Sequence, residues 1–341
     1  MFLAGIFYKT KAMKSTKLLL ILIISVIGCH PRESGKPDIS GIDIDSVEIK
    51  RYGRALFSIP EDSLKQGLEK IAPEFRLFLG NDYDDPLNII KIRDYVSDPK
   101  LIELYKATRD KFDGLDESEA ELTKAFRYIK YYYPGFNVPE VYSYISGLQY
   151  EQPVMYADSA LIIGLDLYLG EDFKPYKEVG LPMYKTKQMK APYIPADCVR
   201  EIAMGKIPVS QSRSLLDEMI RNAKLIYFTA SMLPDMHDSL VSGYTGQELN
   251  WLRDNEKNIW AFLIENELLF SPDYLDIRKF TTDGPFTPGF GDQSAAGIGN
   301  WIGWQILKKF RQNNPEIELS DLMLLTDSQE ILKRSAYKPA K

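Results

Sequence analysis

The chain has 341 residues, of which 45% are hydrophobic, so it is long enough to form one large domain or two modest ones around an apolar core. Its formal net charge is −6, and residues 1–28 contain four lysines and no acidic residue, so the remainder carries −10. A mildly acidic surface argues against nucleic-acid binding, which requires a basic patch.

The amino terminus has the pattern of an export signal. A basic stretch is followed by the apolar run 18–24 and then by Val26-Ile27-Gly28-Cys29. The apolar run is too short for a membrane span, which needs roughly 20 residues. The four residues ending at Cys29 resemble a bacterial lipobox, which implies cleavage after residue 28 and lipid on the Cys29 sulfur. Because His30, not an aspartate, follows, we expect an outer-membrane protein that faces the periplasm.

Once Cys29 carries lipid, Cys198 is the one cysteine left, so no disulfide within the mature chain can form. We expect Cys198 to be buried and inert and not a reactive thiol, since free cysteine behaves as a small hydrophobic residue.

After a Pro- and Gly-containing tether, residues 29–40, the pattern of apolar residues predicts both strands and helices. Alternating apolar residues from Ile42 to Ile49 predict a strand within 42–57. Apolar residues at helical spacing predict a helix over 61–80, one or two helices over 86–111 with a break at Asp98-Pro99, and a helix over 116–133.

Two segments rich in β-branched and aromatic residues, 138–146 and 160–169, predict a hairpin or neighbouring strands. A long connection, 171–192, follows. Further helices are predicted at 194–204, 214–233, 245–269, 301–311, 319–325 and 327–334, with an irregular segment at 283–299. The order of helices, small sheet and helices predicts a single, mostly helical α+β domain over 41–341.

Most catalytic motifs are absent from the sequence. It has two histidines, His30 and His237, and lacks the His-Glu-x-x-His pattern of zinc proteases and the Gly-x-Ser-x-Gly pattern of hydrolases. A pair of Cys198 and His237 remains open, although a solvated loop histidine is the favoured interpretation. Gly297-Ile298-Gly299 precedes a helix without a preceding strand, so we interpret it as a turn and not a phosphate loop.

Asp283 and Asp292 flank an aromatic, Gly-rich loop, and two carboxylates in a cleft could hydrolyse a glycan. Trp301 and Trp304 are candidates for binding a partner, a sugar or a peptide, although such residues more often pack a core.

Five segments together resemble the GldB family, the gliding-motility-associated lipoproteins of gliding Bacteroidetes. They read IDIDSVEIKR (42–51), LIIGLDLYLG (161–170), YTGQELNWLRDNEKNIW (244–260), GIGNWIGWQI (297–306) and TDSQEILKRSAYKP (326–339). The resemblance covers nearly the whole mature chain in order. It implies a lipoprotein required for movement over surfaces, with other gliding-machinery proteins as partners and a link to type IX secretion.

The layout also resembles a degenerate zinc-metallopeptidase scaffold, in which the metal-binding helix follows the sheet. Asp197 and Glu201 would occupy the two histidine positions, and Cys198 the position of the catalytic glutamate. On the next helix, Arg221 stands near the expected acidic ligand. This set is a poor zinc site without a catalytic base, so the resemblance implies a pseudoenzyme without metal or cofactor. The same residues also fit an ordinary cluster of surface charges.

The leading hypothesis is a non-catalytic envelope lipoprotein of the gliding apparatus. The alternatives are an envelope hydrolase that uses carboxylates on glycan or peptide, and a solute-binding lipoprotein. A closed cluster of Asp197, Glu201 and Arg221 would favour the first, an open cleft lined by Asp283, Asp292 and the tryptophans the second, and a hinged two-domain shape the third.

Overall fold

The computed structural model describes residues 36–157, 159–208 and 214–339, and a small mixed sheet lies near the middle of this chain. Its strands are β1 (Ile49–Arg51), β2 (Glu140–Tyr144), β3 (Val154–Ala157) and β4 (Ala160–Gly164). They are ordered β1-β2-β4-β3. The first three in this order are parallel, with Ile49 opposite Val141 and Val141 opposite Leu161, and β3 runs antiparallel to β4.

Helices lie between β1 and β2 and again after β4. Before β2 lie α1 (Tyr52–Phe57), α2 (Leu64–Ile71), α3 (Arg76–Leu79), α4 (Pro86–Ser97), α5 (Pro99–Lys111) and α6 (Asp116–Tyr132). After β4 come α7 (Lys174–Glu178), α8 (Met183–Thr186), α9 (Ile194–Met204), α10 (Leu215–Met232), α11 (Asp238–Ser242), α12 (Gly246–Glu265), α13 (Tyr274–Thr281), α14 (Ile298–Asn313), α15 (Leu319–Leu324) and α16 (Ser328–Ser335). The α+β class predicted from the sequence is confirmed.

Several helix starts follow directly from the sequence. The predicted break at Asp98-Pro99 is confirmed, because the Asp98 side chain accepts from the backbone N–H groups of Lys100 and Leu101 and Pro99 is the first residue of α5. Ser214 and Asp217 form a reciprocal capping box at the start of α10. These side chains satisfy backbone donors that have no partner within their own helix.

The sheet is covered on both faces, as alternation along its strands requires. On one face, Tyr142 and Ala160 join an apolar cluster that includes Leu56 and Leu68 of the amino-terminal helices. On the other face, Val141 and residues of β4 join the main core, which the later helices complete. Residues 39–341 form one compact unit. Within the described part of the chain, no helix is long and apolar enough to cross a bilayer.

The strand predicted within 42–57 is wrong over most of its length. Only Ile49–Arg51 pairs with β2, and helix α1 begins at the next residue. Upstream, the backbone N–H of Val47 donates to Thr123 Oγ1 at 2.9 Å, and that of Ile49 donates to Glu119 Oε1 at 2.8 Å. Side chains of α6 therefore accept the hydrogen bonds that a neighbouring strand would otherwise accept. The alternation of apolar and polar residues in the sequence does not reveal these contacts.

Other differences are local. The helix predicted at 61–80 is divided, because Pro73 cannot continue α2. The predicted strands β2 and β4 are parallel neighbours, and the hairpin is instead formed by β3 and β4. Helix α13 and the short helices α1, α7, α8 and α11 are not predicted from the sequence. The predicted organisation into signal 1–28, tether 29–40 and domain stays a prediction, and Cys29 lies outside the described residues.

Candidate functional site

A polar cleft of about 520 Å³ lies among the helices that follow the sheet. Loops and helix faces from α8 to α14 provide its walls. Its polar lining includes Lys185, Lys187, Gln188, Arg200, Asn222, Thr245, Glu248, Thr282, Asp283 and Asn300. This volume falls within the range of roughly 300–1,000 Å³ that is typical of ligand sites.

One wall is the turn between α11 and α12. Gly243 ends α11 with φ +80°, a left-handed conformation that glycine adopts without steric cost. Its carbonyl accepts a hydrogen bond from Gln188 Nε2 at 2.6 Å. Thr245 and Glu248 then form a capping box that starts α12, so the carboxylate of Glu248 is held against the Thr245 backbone N–H at 2.7 Å.

A second wall is the start of α14, and it is held by a chain of amides. Asn300 Nδ2 donates to the Thr281 carbonyl at 2.9 Å, and Asn300 Oδ1 accepts from Asn222 Nδ2 at 3.1 Å. The Tyr244 hydroxyl donates to the Gly297 carbonyl at 2.7 Å and links this wall to the first one. The cleft is therefore braced by side-chain hydrogen bonds across several elements.

Both signs of charge line the cleft. Lys185 Nζ pairs with Asp283 Oδ2 at 2.5 Å, between α8 and the end of α13. Arg200 Nη1 pairs with Asp197 Oδ1 at 3.2 Å, and its Nη2 donates to the Val241 carbonyl at 3.0 Å. The Lys187 side chain is exposed at the rim.

Asp197 lies beside the cleft and is largely buried, with 18% of its side chain exposed. Its Oδ2 accepts from the hydroxyl of the buried Tyr168 at 2.9 Å. Burial raises the pKa of Asp197, whereas the Arg200 charge and the Tyr168 hydrogen bond lower it. The carboxyl group is thus fixed between two donors.

The neighbours of Asp197 on α9 are also partly or fully buried. Glu201, one turn further on, is half-buried, and burial raises its pKa. Cys198 is fully buried, and burial raises the pKa of its thiol far above the usual range, which disfavours the reactive thiolate. Arg221 lies on the next helix, α10. It pairs with Glu218 of the same helix at 3.5 Å and lines a separate, smaller depression with Lys224. The structure therefore does not show Arg221 joined to Asp197 or Glu201.

The remaining predicted site residues are dispersed. Asp283 lines the cleft, whereas the exposed Asp292 is not among the residues lining it. His237 caps α11, where Nδ1 accepts from the Ser239 backbone N–H at 3.1 Å. Within residues 36–157, 159–208 and 214–339, no group of three or more His, Cys, Asp or Glu side chains could hold a metal ion.

Trp301 and Trp304 pack in the core. They are 2% and 3% exposed, and their rings meet edge to face with centroids 5.6 Å apart. Lys308 Nζ lies 4.1 Å from the Trp304 ring centroid. Partner binding through these rings stays a prediction.

Comparison with protein families decides the relationship. The model described as gliding motility protein GldB matches residues 32–339. The chain belongs to the GldB family. The name of the family model marks its members as lipoproteins, in agreement with the predicted anchor at Cys29. No curated protein and no solved structure matched the chain.

Two of the five GldB-like segments line the polar cleft. Segment 244–260 supplies Tyr244, Thr245 and Glu248, and segment 297–306 supplies Asn300. A third, 161–170, contains Tyr168, which holds Asp197 beside the cleft. The sequence-based resemblance therefore marked this region, although it did not indicate that the segments meet.

Sequence reasoning missed Lys185, Gln188, Asn222 and Thr282. They lie on loops and helix faces that come together only through tertiary packing, and none belongs to a recognisable motif. One signal was readable, since Thr245-x-x-Glu248 has the spacing of a capping box and fixes where α12 begins.

Proposed function

We propose that this GldB-family chain is a non-catalytic cell-envelope lipoprotein of the gliding apparatus, with a link to type IX secretion. In this proposal lipid on Cys29 anchors it in the outer membrane, facing the periplasm. The polar cleft binds a polar peptide segment of another protein of the machinery.

The observation that carries the non-catalytic role is that the candidate reactive groups already have structural bonds. Asp197 is held by Tyr168 and Arg200, Asp283 is paired with Lys185, and His237 caps a helix. A general acid or base must instead be free to meet a substrate within about 3 Å. The carboxylate hydrolase is the less supported alternative, since Asp283 and Asp292 do not line one cleft together.

The lining of the cleft supports peptide binding. A peptide backbone presents both donors and acceptors, and the amide side chains of Gln188, Asn222 and Asn300 supply both kinds of group. The exposed Lys187 at the rim adds a positive charge that suits an acidic group of such a peptide.

We further propose that the cleft descends from a metallopeptidase-like scaffold. Helix α9 follows the sheet, packs against β3 and β4, and places Asp197 and Glu201 one turn apart, in agreement with that arrangement. Arg200 forms an ion pair with Asp197. This pairing favours a structural role for Asp197 over metal ligation, because a cation beside the carboxylate opposes metal binding.

A steric block of the cleft tests this function. Thr282 is exposed at the cleft, and its hydroxyl donates to the carbonyl four residues earlier, at 2.7 Å. Thr282→Trp in the chromosomal gene should abolish or strongly reduce spreading over surfaces at a normal protein level. Ser97→Trp is a matched control, since Ser97 is also exposed and donates to the carbonyl four residues earlier, at 2.8 Å, but lies on α4.

The readout is colony spreading, with protein amount measured by immunoblot. Normal spreading of Thr282→Trp cells would contradict a binding role of the cleft. Equal loss in both variants would point to a general effect of a surface tryptophan.

A further inference from the structure

A second site lies away from the polar cleft, where β1 and β2 end. A small notch there, the arginine notch, shares no lining residue with the cleft. Its lining includes Arg51, Arg54, Thr108, Arg109 and Ser143. In sheets with parallel strands, ligands bind beyond the carboxyl ends of the strands, and Arg51 and Ser143 are register partners at those ends.

The lining of the notch includes a buried polar group without a hydrogen-bond partner. Thr108 is 3% exposed, and within the described residues its hydroxyl makes no hydrogen bond. A buried hydroxyl that makes no hydrogen bond is costly, so such groups call for an explanation. A ligand oxygen that accepts a hydrogen bond from Thr108 Oγ1 would explain why this hydroxyl has no partner within the protein.

Three arginines line the same notch as Thr108. Arg51 is half-buried and uses one Nη1 donor on the Asp113 carbonyl at 3.3 Å, which leaves other N–H groups of its planar fork for a ligand. Arg54 is exposed and makes no ion pair with any described residue. Arg109 pairs with Asp110 at 2.8 Å, but both side chains are exposed, and such pairs contribute little.

The electrostatics of Arg51 also favour the binding of an anion. Burial lowers its pKa, and the like charge of Arg54 lowers it further, while Tyr105, Asp113 and Glu119 act in the opposite direction. The fold therefore holds two like charges together at a partly desolvated position. An anion between them would relieve both the repulsion and the lost hydration.

We propose that the arginine notch binds a phosphate-type anion, either a free phosphate group or the phosphomonoester headgroup of a lipid. The notch is about 10 Å³, which admits a single oxygen. One phosphate oxygen enters toward Thr108, and the remaining oxygens meet the guanidinium forks at the rim. A tetrahedral group with several oxygens satisfies the hydroxyl and the forks at once, whereas a carboxylate has only two oxygens.

Calorimetric titration of the full-length lipoprotein in a non-ionic detergent tests this site. The ligands are inorganic phosphate and the short-chain lipid dihexanoyl phosphatidic acid. The double variant Arg54→Gln/Arg109→Gln should weaken binding of both about tenfold or more, because each lost charge-assisted bond removes a strong contact. The matched control is Arg93→Gln/Arg278→Gln, which removes two exposed arginines from α4 and α13 and should leave affinity unchanged.

A second variant separates binding from folding. Thr108→Val keeps the shape of the side chain and removes the hydroxyl, so it should not lower the stability of the unliganded chain but should weaken phosphate binding severalfold. Binding of dihexanoyl phosphatidic acid about tenfold tighter than phosphate would assign the site to lipid headgroups, and similar affinities would assign it to free phosphate groups. No saturable binding of either ligand, or affinities unchanged in both notch variants, would overturn the proposal.

Discussion

Asp166 shows how one side chain fixes a loop at the end of the sheet. It is fully buried, and its carboxylate accepts from the Ser146 backbone N–H at 2.6 Å, the Ser146 hydroxyl at 3.0 Å and the Leu148 backbone N–H at 2.9 Å. Gly147 and Leu148 have left-handed conformations, with φ of +70° and +66°. The three hydrogen bonds thus hold a turn that is costly for Leu148.

Asp166→Asn should lower the free energy of unfolding by about 2–3 kcal/mol. The new side-chain NH2 group would face the donors of Ser146 or Leu148, and a buried N–H would be left without an acceptor. Urea unfolding of the variant and of the control Asp292→Asn, at an exposed position, measures the difference. Equal stability of the two variants would show that the loop does not depend on the carboxylate.

The pKa of Asp197 gives a prediction for pH dependence. Its folded-state pKa is raised above the ordinary value of 3.8 because burial outweighs the effects of Arg200 and Tyr168. The folded chain therefore binds this proton more tightly than the unfolded chain does. The stability that this group contributes is present below the ordinary pKa and is lost as the pH rises through the folded pKa.

Asp197→Asn removes this titration, so the stability of the variant relative to the parent should increase as the pH rises from 3.8 towards neutrality. Denaturant unfolding of both chains across this range checks the trend. Glu201→Gln should shift in the same direction, since burial also raises the pKa of Glu201. A relative stability that decreases with pH would mean that the bonds to Arg200 and Tyr168 dominate.

Among the elements, the packing of α14 against α10 and α13 depends on two glycines. A Cβ at Gly303 would lie 2.4 Å from the Met219 carbonyl oxygen, and one at Gly299 would lie 2.8 Å from the Phe280 carbonyl oxygen. The glycine spacing in GIGNWIG (297–303) thus allows close helix packing. This agrees with the interpretation that the segment is not a phosphate loop. The same spacing places Asn300 between these contacts, on the wall of the cleft.

Gly303→Ala should cost about 2 kcal/mol or more, because the backbone of α10 must move away. Gly246→Ala is the control, since nothing lies within 4 Å of its added Cβ at the start of α12. The control should change stability by about 0.5 kcal/mol or less. Chemical unfolding compares the two, and an equally stable Gly303→Ala chain would contradict the packing account.

Helices with strong periodicity or sequence caps could be predicted well. The predicted segment 194–204 matches α9, and the break before Pro99 is correct. The antiparallel strand β3 could not be predicted, because Val154–Ala157 is short and pairs only with its neighbour β4. The cleft escaped prediction for a related reason: Lys185 and Asp283 are distant in sequence and meet only in the folded chain.

At the scale of the whole molecule, the lipid anchor predicted at Cys29 would hold the protein at a membrane. Cys29→Ala should abolish incorporation of a fatty-acid label and release the protein from washed membranes, because several acyl chains are needed for firm anchoring. Cys198→Ala is the control, since Cys198 is fully buried and unrelated to the lipobox. Labelling that persists in Cys29→Ala would exclude this cysteine as the anchor.

The non-catalytic role is tested most directly by a chromosomal Asp197→Asn/Glu201→Gln double replacement. The two changes remove both carboxylates of α9 but keep the size of the side chains. Colony spreading over a surface is measured alongside protein amount by immunoblot. The account predicts normal spreading at a normal protein level, and lost spreading at a normal protein level would contradict it by showing that these carboxylates perform chemistry or bind metal.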